Sequence, residues 1–581
     1  MRADILVEGE LVQDPSSVWL LSGHERFAYS DGADSEKYLE EVFRSAKDLS
    51  SRSSELEGYI KDWTSEYHLT RKRSQLLSGF RFDRTLKVLE VGCGCGAITR
   101  YLGETFDSVT SVEGSLARAR LARLRTRDLP SVSVICAPFQ EIRFSTKFDL
   151  IFVVGVFEYS ASFVAGADPY EAALKYFADI LAPDGMIVLA IENQFGIKYL
   201  NGSREDHLGT KFEGVEGYHR RPARVRTFGH AELTDRIERH FPDVHFFYPY
   251  PDYKIPDAVL SDKFVQSGQA GELISQIPSR DYAGPYQQLW DEPATILEFA
   301  RNSMLYLFAN SFLVLAGRTR IHGVSFDQLA DLYSSGRKRE FLTRTRIMEE
   351  PNGGWRVQKN PIPGTPAVDN GVIQLSASES PWIGGNSLLT GIMLHARSRN
   401  SSLEDIFGPC RAWYEFLVAN SHDRQGVRML PGSFIDAIWP NAYFEGDALK
   451  LTDQEWNLTE DIPLNVIVIR AIFDFLARIE KCRTTSAALN GRSGRQLIEA
   501  IARSIGASLS SEDFDRFLAT EARIQRIVAG ISEARTRLYS RWFLIDRTSL
   551  RLCIRSFQAL TRLKARGLYL LSRIVARLLP R

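Results

Sequence analysis

Three glycines, Gly92, Gly94 and Gly96, follow the apolar run KVLEV and lead into a helical pattern carrying Ile98, Tyr101 and Leu102. Glycines at a strand-to-helix turn permit backbone angles that other residues avoid and let a ligand approach closely, while the helix start offers free N–H groups. The spacing is G-x-G-x-G rather than the G-x-G-x-x-G of nicotinamide and flavin folds. Glu113 closes the next apolar run, 17 residues beyond Gly96, where a carboxylate can accept hydrogen bonds from both hydroxyls of a ribose. Glu158 and Tyr159, then Glu192, Asn193, Asp206, His207 and Tyr218, fall after later runs of the same kind, at the end of an open α/β sheet where ligands bind. His207 is the candidate for acceptor binding or proton removal, with Asp206 to orient its imidazole and Glu158 as a further acid. A loop histidine that braces its neighbours is the competing reading. Tyr67, His68, Arg71 and Arg73 precede the first run and are placed to close over a pocket, although Arg71 and Arg73 also read as a solvated helix face.

Positioning such residues requires a sheet. From Thr85 to about Arg320 the runs LKVLEVG, SVTSVEG, VSVICA, FDLIFVVG, GMIVLAIE, HFFYPYP and SFLVLAG alternate with helical patterns, as expected of a largely parallel sheet of seven strands covered by helices. Residues 1–66 read as an N-terminal cap containing a polar helix from Ser35 to Leu49. Near residue 321 the pattern turns hairpin-like, with EFLTRTRIMEE, a turn at PNGG and then WRVQKN. Helices are expected over 402–420 and 464–480, and residues 481–581 read as an almost wholly helical, basic region.

The chain of 581 residues exceeds what one hydrophobic core usually organises. Its 44% hydrophobic and 25% charged residues exclude disorder and collagen. Six cysteines without paired spacing give no disulfide framework, and Cys93 and Cys95 have no second Cys/His cluster to complete a metal site, so no metal is expected in this first domain. The start MRADILVEGE lacks the pattern of a signal peptide, and Met304–Ala316 is too short to span a bilayer. A cytoplasmic location is expected. The formal charge is zero, yet residues 531–581 hold twelve Arg or Lys against two acids. That asymmetry points to an acidic partner. Arg551, Arg555, Arg562, Arg566, Arg573 and Arg577 are spaced 4, 7, 4, 7 and 4, an 11-residue repeat that keeps them on one helical stripe beside apolar faces. This favours an anionic membrane surface over nucleic acid, with a packed helix as the rival.

The segment Glu90-Val-Gly92-Cys-Gly94-Cys-Gly96 resembles the first motif of class I S-adenosylmethionine-dependent methyltransferases, E/D-x-G-x-G-x-G. The resemblance implies a Rossmann-like α/β fold over residues 67–320, S-adenosylmethionine as cofactor, Glu90 near its methionine end and Glu113 on its ribose. The third motif usually supplies an Asp near the adenine; here Cys136, Ala137, Pro138 and Phe139 stand there, and Phe139 can pack on the base or in the core. Methyl transfer from a sulfonium is an in-line displacement in which alignment matters most, and a base is needed only for a neutral acceptor such as a hydroxyl. A longer likeness, over WTSEYHLTRKRSQLL, AIENQFGIKYLNGSREDHLG, FEGVEGY and YPYPDYKIP, is to methyltransferases of bacterial cell-surface polysaccharide assembly, including O-antigen enzymes fused to a kinase. It implies a glycan or lipid-linked glycan acceptor on the inner face of the plasma membrane.

Asp436, Asn441 and Asp453, with Lys359 on an earlier strand, resemble the residues of aminoglycoside-phosphotransferase-like and sugar-kinase-like folds, over about 325–480. There one Asp positions a hydroxyl, the Asn and second Asp hold magnesium, and the Lys contacts the nucleotide. This implies ATP and Mg²⁺ for a reduced kinase-like α+β domain over residues 321–480. Phe434 stands where the usual catalytic-loop His would be, and Asp453-Gln454-Glu455 lacks the usual Gly. Three functions therefore compete: a glycan methyltransferase, a bifunctional kinase-methyltransferase, and a cofactor-binding scaffold that recruits glycosyltransferases.

Overall fold

The computed structural model describes residues 7–22, 32–219, 224–319, 323–368, 370–480 and 485–545. The chain forms two compact units. The first comprises residues 1–335, 342–365 and 379–384, and the second 336–341, 366–378 and 385–581.

The first unit is built on a fourteen-stranded sheet. The seven expected strands form its centre: β3 (Lys87–Val91), β4 (Ser108–Glu113), β5 (Val132–Cys136), β6 (Phe148–Val154), β7 (Leu181–Glu192), β8 (Asp243–Tyr250) and β10 (Ser311–Gly317). Their spatial order is β5-β4-β3-β6-β7-β10-β8, parallel through β7 and then antiparallel at β10. Helices on both faces explain why these strands are continuous apolar runs. Side chains alternate between two cores: Leu89, Val91, Ile151, Val153, Ile187 and Leu189 enter one, and Val88, Leu150, Phe152, Met186 and Val188 the other.

Both edges extend further than the sequence pattern shows. The hairpin of β1 (Leu11–Gln13) and β2 (Trp19–Leu21) pairs with β5. At the other edge β9 (Ala258–Ser261) pairs with β8 and carries β11 (Gln328–Tyr333), β12 (Thr343–Glu349), β13 (Trp355–Pro361) and β14 (Ser378–Pro381). The hairpin read from sequence as the opening of a kinase-like domain therefore continues the first unit's sheet, and Lys359 lies on β13 opposite Thr345. The expected polar helix forms as α1 (Ala33–Ser45), whose Leu39, Val42 and Phe43 share a cluster with Cys95 and Leu121.

The second unit packs helices and small antiparallel sheets around the helix Leu464–Ile479, where Val466, Ile467, Ile469, Ile472, Phe475 and Leu476 are fully buried. Helices Gly494–Ser504 and Ser511–Val528 begin with reciprocal capping boxes, Ser493 with Gln496 and Ser510 with Asp513. A further helix spans Glu533–Ile545. The arginine stripe from Arg551 to Arg577 lies outside the described residues. Among the described residues no helix is long and apolar enough to cross a membrane.

Candidate active site

The turn after β3 takes backbone angles suited to glycine: φ is +71° at Gly92, +55° at Gly94 and +85° at Gly96. A Cβ on Gly96 would lie 2.8 Å from the Cα of Ala122, and one on Gly92 would lie 2.4 Å from the Val156 side chain. The turn is fastened from β4, because the Gly92 and Cys93 N–H groups donate to the Val112 carbonyl at 2.8 and 3.0 Å. Gly96 then caps helix α2 (Ala97–Thr105).

Glu113, at the end of β4, accepts from the Gly94 N–H at 2.8 Å and from the Ser115 N–H at 2.9 Å. A carboxylate has about four acceptor sites, so room for ribose hydroxyls remains. Glu90 is buried and accepts from the Ser111 hydroxyl at 2.7 Å. Burial pushes its carboxyl up to about 7, against the Thr99 and Ser111 hydroxyls, which favour the charged form. A positively charged ligand group beside Glu90 would complete it. Phe139 lines the same cavity while stacking on Phe177, with centroids 5.5 Å apart, so it is a core residue at the cavity wall.

One cavity of 490 Å³ joins this turn to the second group of candidates. Its walls include Glu90, Gly92, Gly94, Glu113 and Phe139 together with Tyr67, Glu158, Tyr159, Asp206, His207 and Lys254. His207 Nδ1 lies 2.9 Å from the Tyr159 hydroxyl, and its Nε2 faces Glu192 Oε2 at 3.3 Å. Burial alone would lower the imidazole, but Glu192 raises it to about 9. Glu192 is fully buried, yet Lys254 and His207 beside it hold its carboxyl well below the usual range. Glu158 is also fully buried, and neither of its carboxylate oxygens accepts a hydrogen bond from another residue. Burial, reinforced by Glu192, pushes it up to about 8.

Asp206 does not orient His207. Its carboxylate pairs with Lys198 at 2.9 Å and with Lys254, and Lys198 lies a further 3.5 Å from Asp252. The imidazole is instead oriented by Tyr159 and Glu192. Asn193 is structural: its amide N donates to the Leu307 and Ala309 carbonyls. Tyr218 is likewise held on Thr227 at 2.6 Å. Arg71 and Arg73 are buried rather than solvated; Arg71 pairs with Glu57, and Arg73 donates to the Lys254 carbonyl and lies over the Tyr67 ring. Lys198, Asp252 and Lys254 were not singled out from sequence, although YPYPDYKIP contains two of them.

In the second unit, the Asn441 side chain donates to the Asp436 carbonyl at 2.9 Å, and the Thr452 N–H donates to the Asn441 carbonyl at 2.8 Å. The loop bearing Asp436 and Asn441 is thereby drawn to the backbone next to Asp453. The Asp436 carboxylate is bound by Arg470 at 2.6 Å. Lys359 belongs to the other unit.

Residues 89–189 match the family described as methyltransferase domain. Together with the strand order and glycine turn, the match defines a class I S-adenosylmethionine-dependent methyltransferase domain in the N-terminal part of the chain. The chain is 30% identical over 104 residues to (S)-coclaurine N-methyltransferase of Thalictrum flavum subsp. glaucum, which is 17% of this chain and 27% of that protein. It is 31% identical over 88 residues to malonyl-[acyl-carrier protein] O-methyltransferase of Priestia megaterium, 15% of this chain and 31% of that protein. The similarity thus spans about a third or less of these curated relatives. Among solved structures, the N-methyltransferase NodS of Bradyrhizobium japonicum WM9 in complex with S-adenosyl-L-homocysteine is 19% identical, covering 28% of this chain and 74% of that one, with a TM-score of 0.20.

Proposed function

We propose that this chain methylates a hydroxyl group of a cell-surface glycan or of its lipid-linked precursor, with S-adenosylmethionine as donor. The observation that carries the reading is the single cavity linking the glycine turn and Glu113 to Glu158, Tyr159 and His207. S-adenosylmethionine supplies a methyl group on a positively charged sulfur. Glu113 would take the ribose hydroxyls and Glu90 the charged methionine end. A neutral hydroxyl must give up a proton, whereas a phosphate arrives charged. His207 and Glu158, both on the cavity wall, are groups that can take up or pass on the hydroxyl's proton. The glycan itself rests on the likeness of residues 20–320 to polysaccharide-assembly methyltransferases. The purified chain should convert S-adenosylmethionine to S-adenosylhomocysteine when given glycan precursor, and mass spectrometry should find that glycan short of a methyl group in cells lacking the protein. Identical glycans from both cells would sink the glycan assignment.

A second reading adds phosphoryl transfer in the second unit, favoured by the hydrogen bonds that draw Asp436, Asn441 and the backbone at Thr452, next to Asp453, together. ATP with Mg²⁺ should then raise the melting temperature, and Asp453→Ala should abolish that shift while methylation survives. An unchanged melting curve for the native chain would reduce the unit to a structural one.

The location at an anionic membrane face is supported by the helix Glu533–Ile545, where Leu538, Trp542 and Ile545 are exposed among Arg535, Arg537 and Arg541. The full chain should float with anionic but not neutral vesicles and lose that binding in salt. Equal flotation of a chain ending at Gly530 would refute the anchor.

A further inference from the structure

We propose that Glu158, Glu192 and His207 bind one divalent transition-metal ion of the zinc or manganese kind, through one carboxylate oxygen of each acid and His207 Nε2. The candidate ligand atoms all lie within 4.8 Å of one another. Three features of these side chains go beyond proximity. Glu158 is fully buried with both carboxylate oxygens unbonded to any other residue, and Glu192 Oε2 and His207 Nε2 face each other at 3.3 Å without the alignment of a hydrogen bond. Buried polar atoms without partners are rare in native proteins and call for an unseen water or ion. The 3.3 Å separation is close to the edge of a tetrahedron with bonds of about 2.1 Å, the length of zinc bonds to nitrogen and oxygen.

The surrounding residues are those a metal site needs. His207 presents Nδ1 to the Tyr159 hydroxyl at 2.9 Å, so a proton on that nitrogen leaves Nε2 free to ligate. The second oxygen of Glu192 is held by Lys254 and by the Tyr253 hydroxyl, which fixes the direction of the first. Asp206 and Asp252 are already paired with Lys198 and Lys254, so neither competes for the ion. Glu205 stands aside, its carboxylate accepting the His207 and Leu208 N–H groups. Two carboxylates and one imidazole are hard-to-borderline donors that suit Mn²⁺ and Zn²⁺, and three protein ligands leave positions open to a substrate oxygen. Glu158 and His207 border the cavity. The use of the ion, to hold an acceptor hydroxyl and lower its pKa, rests on the methyl-transfer reading. Its binding does not.

The test uses the full chain stripped with a chelator and titrated calorimetrically with Zn²⁺ and, separately, Mn²⁺. One ion should bind per chain. Glu158→Gln and His207→Ala should each weaken binding about tenfold or more, and Tyr159→Phe, which removes a supporting hydroxyl, by a factor in the range of about 10–100. Far-ultraviolet circular dichroism of each variant establishes that it is folded. Stripped native chain that binds S-adenosylmethionine but neither ion overturns the site, as does unchanged ion affinity in folded Glu158→Gln and His207→Ala. Site-specific ion binding without any turnover of S-adenosylmethionine leaves the ion site standing and overturns methyl transfer instead.

Discussion

His207→Ala is expected to lose about 10²- to 10⁴-fold in turnover of a hydroxyl acceptor, the range for removing a group that manages a proton in the transition state. The side chain borders the cavity, with Nδ1 on the Tyr159 hydroxyl and Nε2 facing Glu192. The Glu113 carboxylate is held by the Gly94 and Ser115 N–H groups and His207 by Tyr159, so affinity for S-adenosylmethionine should change little. The loss should therefore fall on kcat and not on cofactor KM. A turnover number within twofold of native, measured at saturating acceptor, would take His207 out of the chemistry.

Glu113→Ala should weaken S-adenosylmethionine binding by about ten- to a hundredfold, the equivalent of about 1.5 to 3 kcal/mol for charged hydrogen bonds. Two contributions add. The ribose loses its acceptor, and the Gly94 N–H loses the carboxylate that fixes the turn. Binding should also depend on pH through Glu90, whose carboxyl sits at about 7 because it is buried. The ionised form is the one that favours a cationic ligand, so affinity should fall about tenfold per unit as pH drops below 7 and level off above it. Glu90→Gln should bind more weakly and show no such slope. Calorimetry from pH 5.5 to 8 reads both effects. Native-like affinity of Glu113→Ala would refute the ribose assignment, and a pH-independent native chain would remove Glu90 from the cofactor's charged end.

The central sheet is legible because its strands are buried on both faces and so appear as unbroken apolar runs, such as LIFVV and MIVLAI. The glycine turn is legible for a related reason: the close approach of Ala122 and Val156 leaves no room for a Cβ. The edge strands are not. Ser378–Pro381 is exposed throughout and Leu11–Gln13 nearly so, and a polar strand carries no apolar pattern to read. At the acceptor end the residue types were visible but their pairing was not. Asp206 and His207 are adjacent in sequence, which suggests a joint role, yet the chain sends one to Lys198 and Lys254 and the other to Tyr159 and Glu192. Such partners lie up to about fifty residues away and are fixed only by the sheet. Arg71 and Arg73 illustrate the same limit, since basic side chains with distant carbonyl and carboxylate partners read locally as surface.

The interleaving of the two units bears on how the protein is made. Residues 336–341 and 366–378 belong to the second unit although the segments around them belong to the first. A ribosome that has released residue 317 has delivered all seven central strands, but β9 still lacks the neighbour that β11 supplies. The open edge is a template for pairing with another chain until residues 328–381 emerge. The nascent methyltransferase sheet is therefore completed by segments threaded among pieces of the next unit, and the two cannot be parted by a single cut. Synthesis of the first commits the cell to at least the opening of the second.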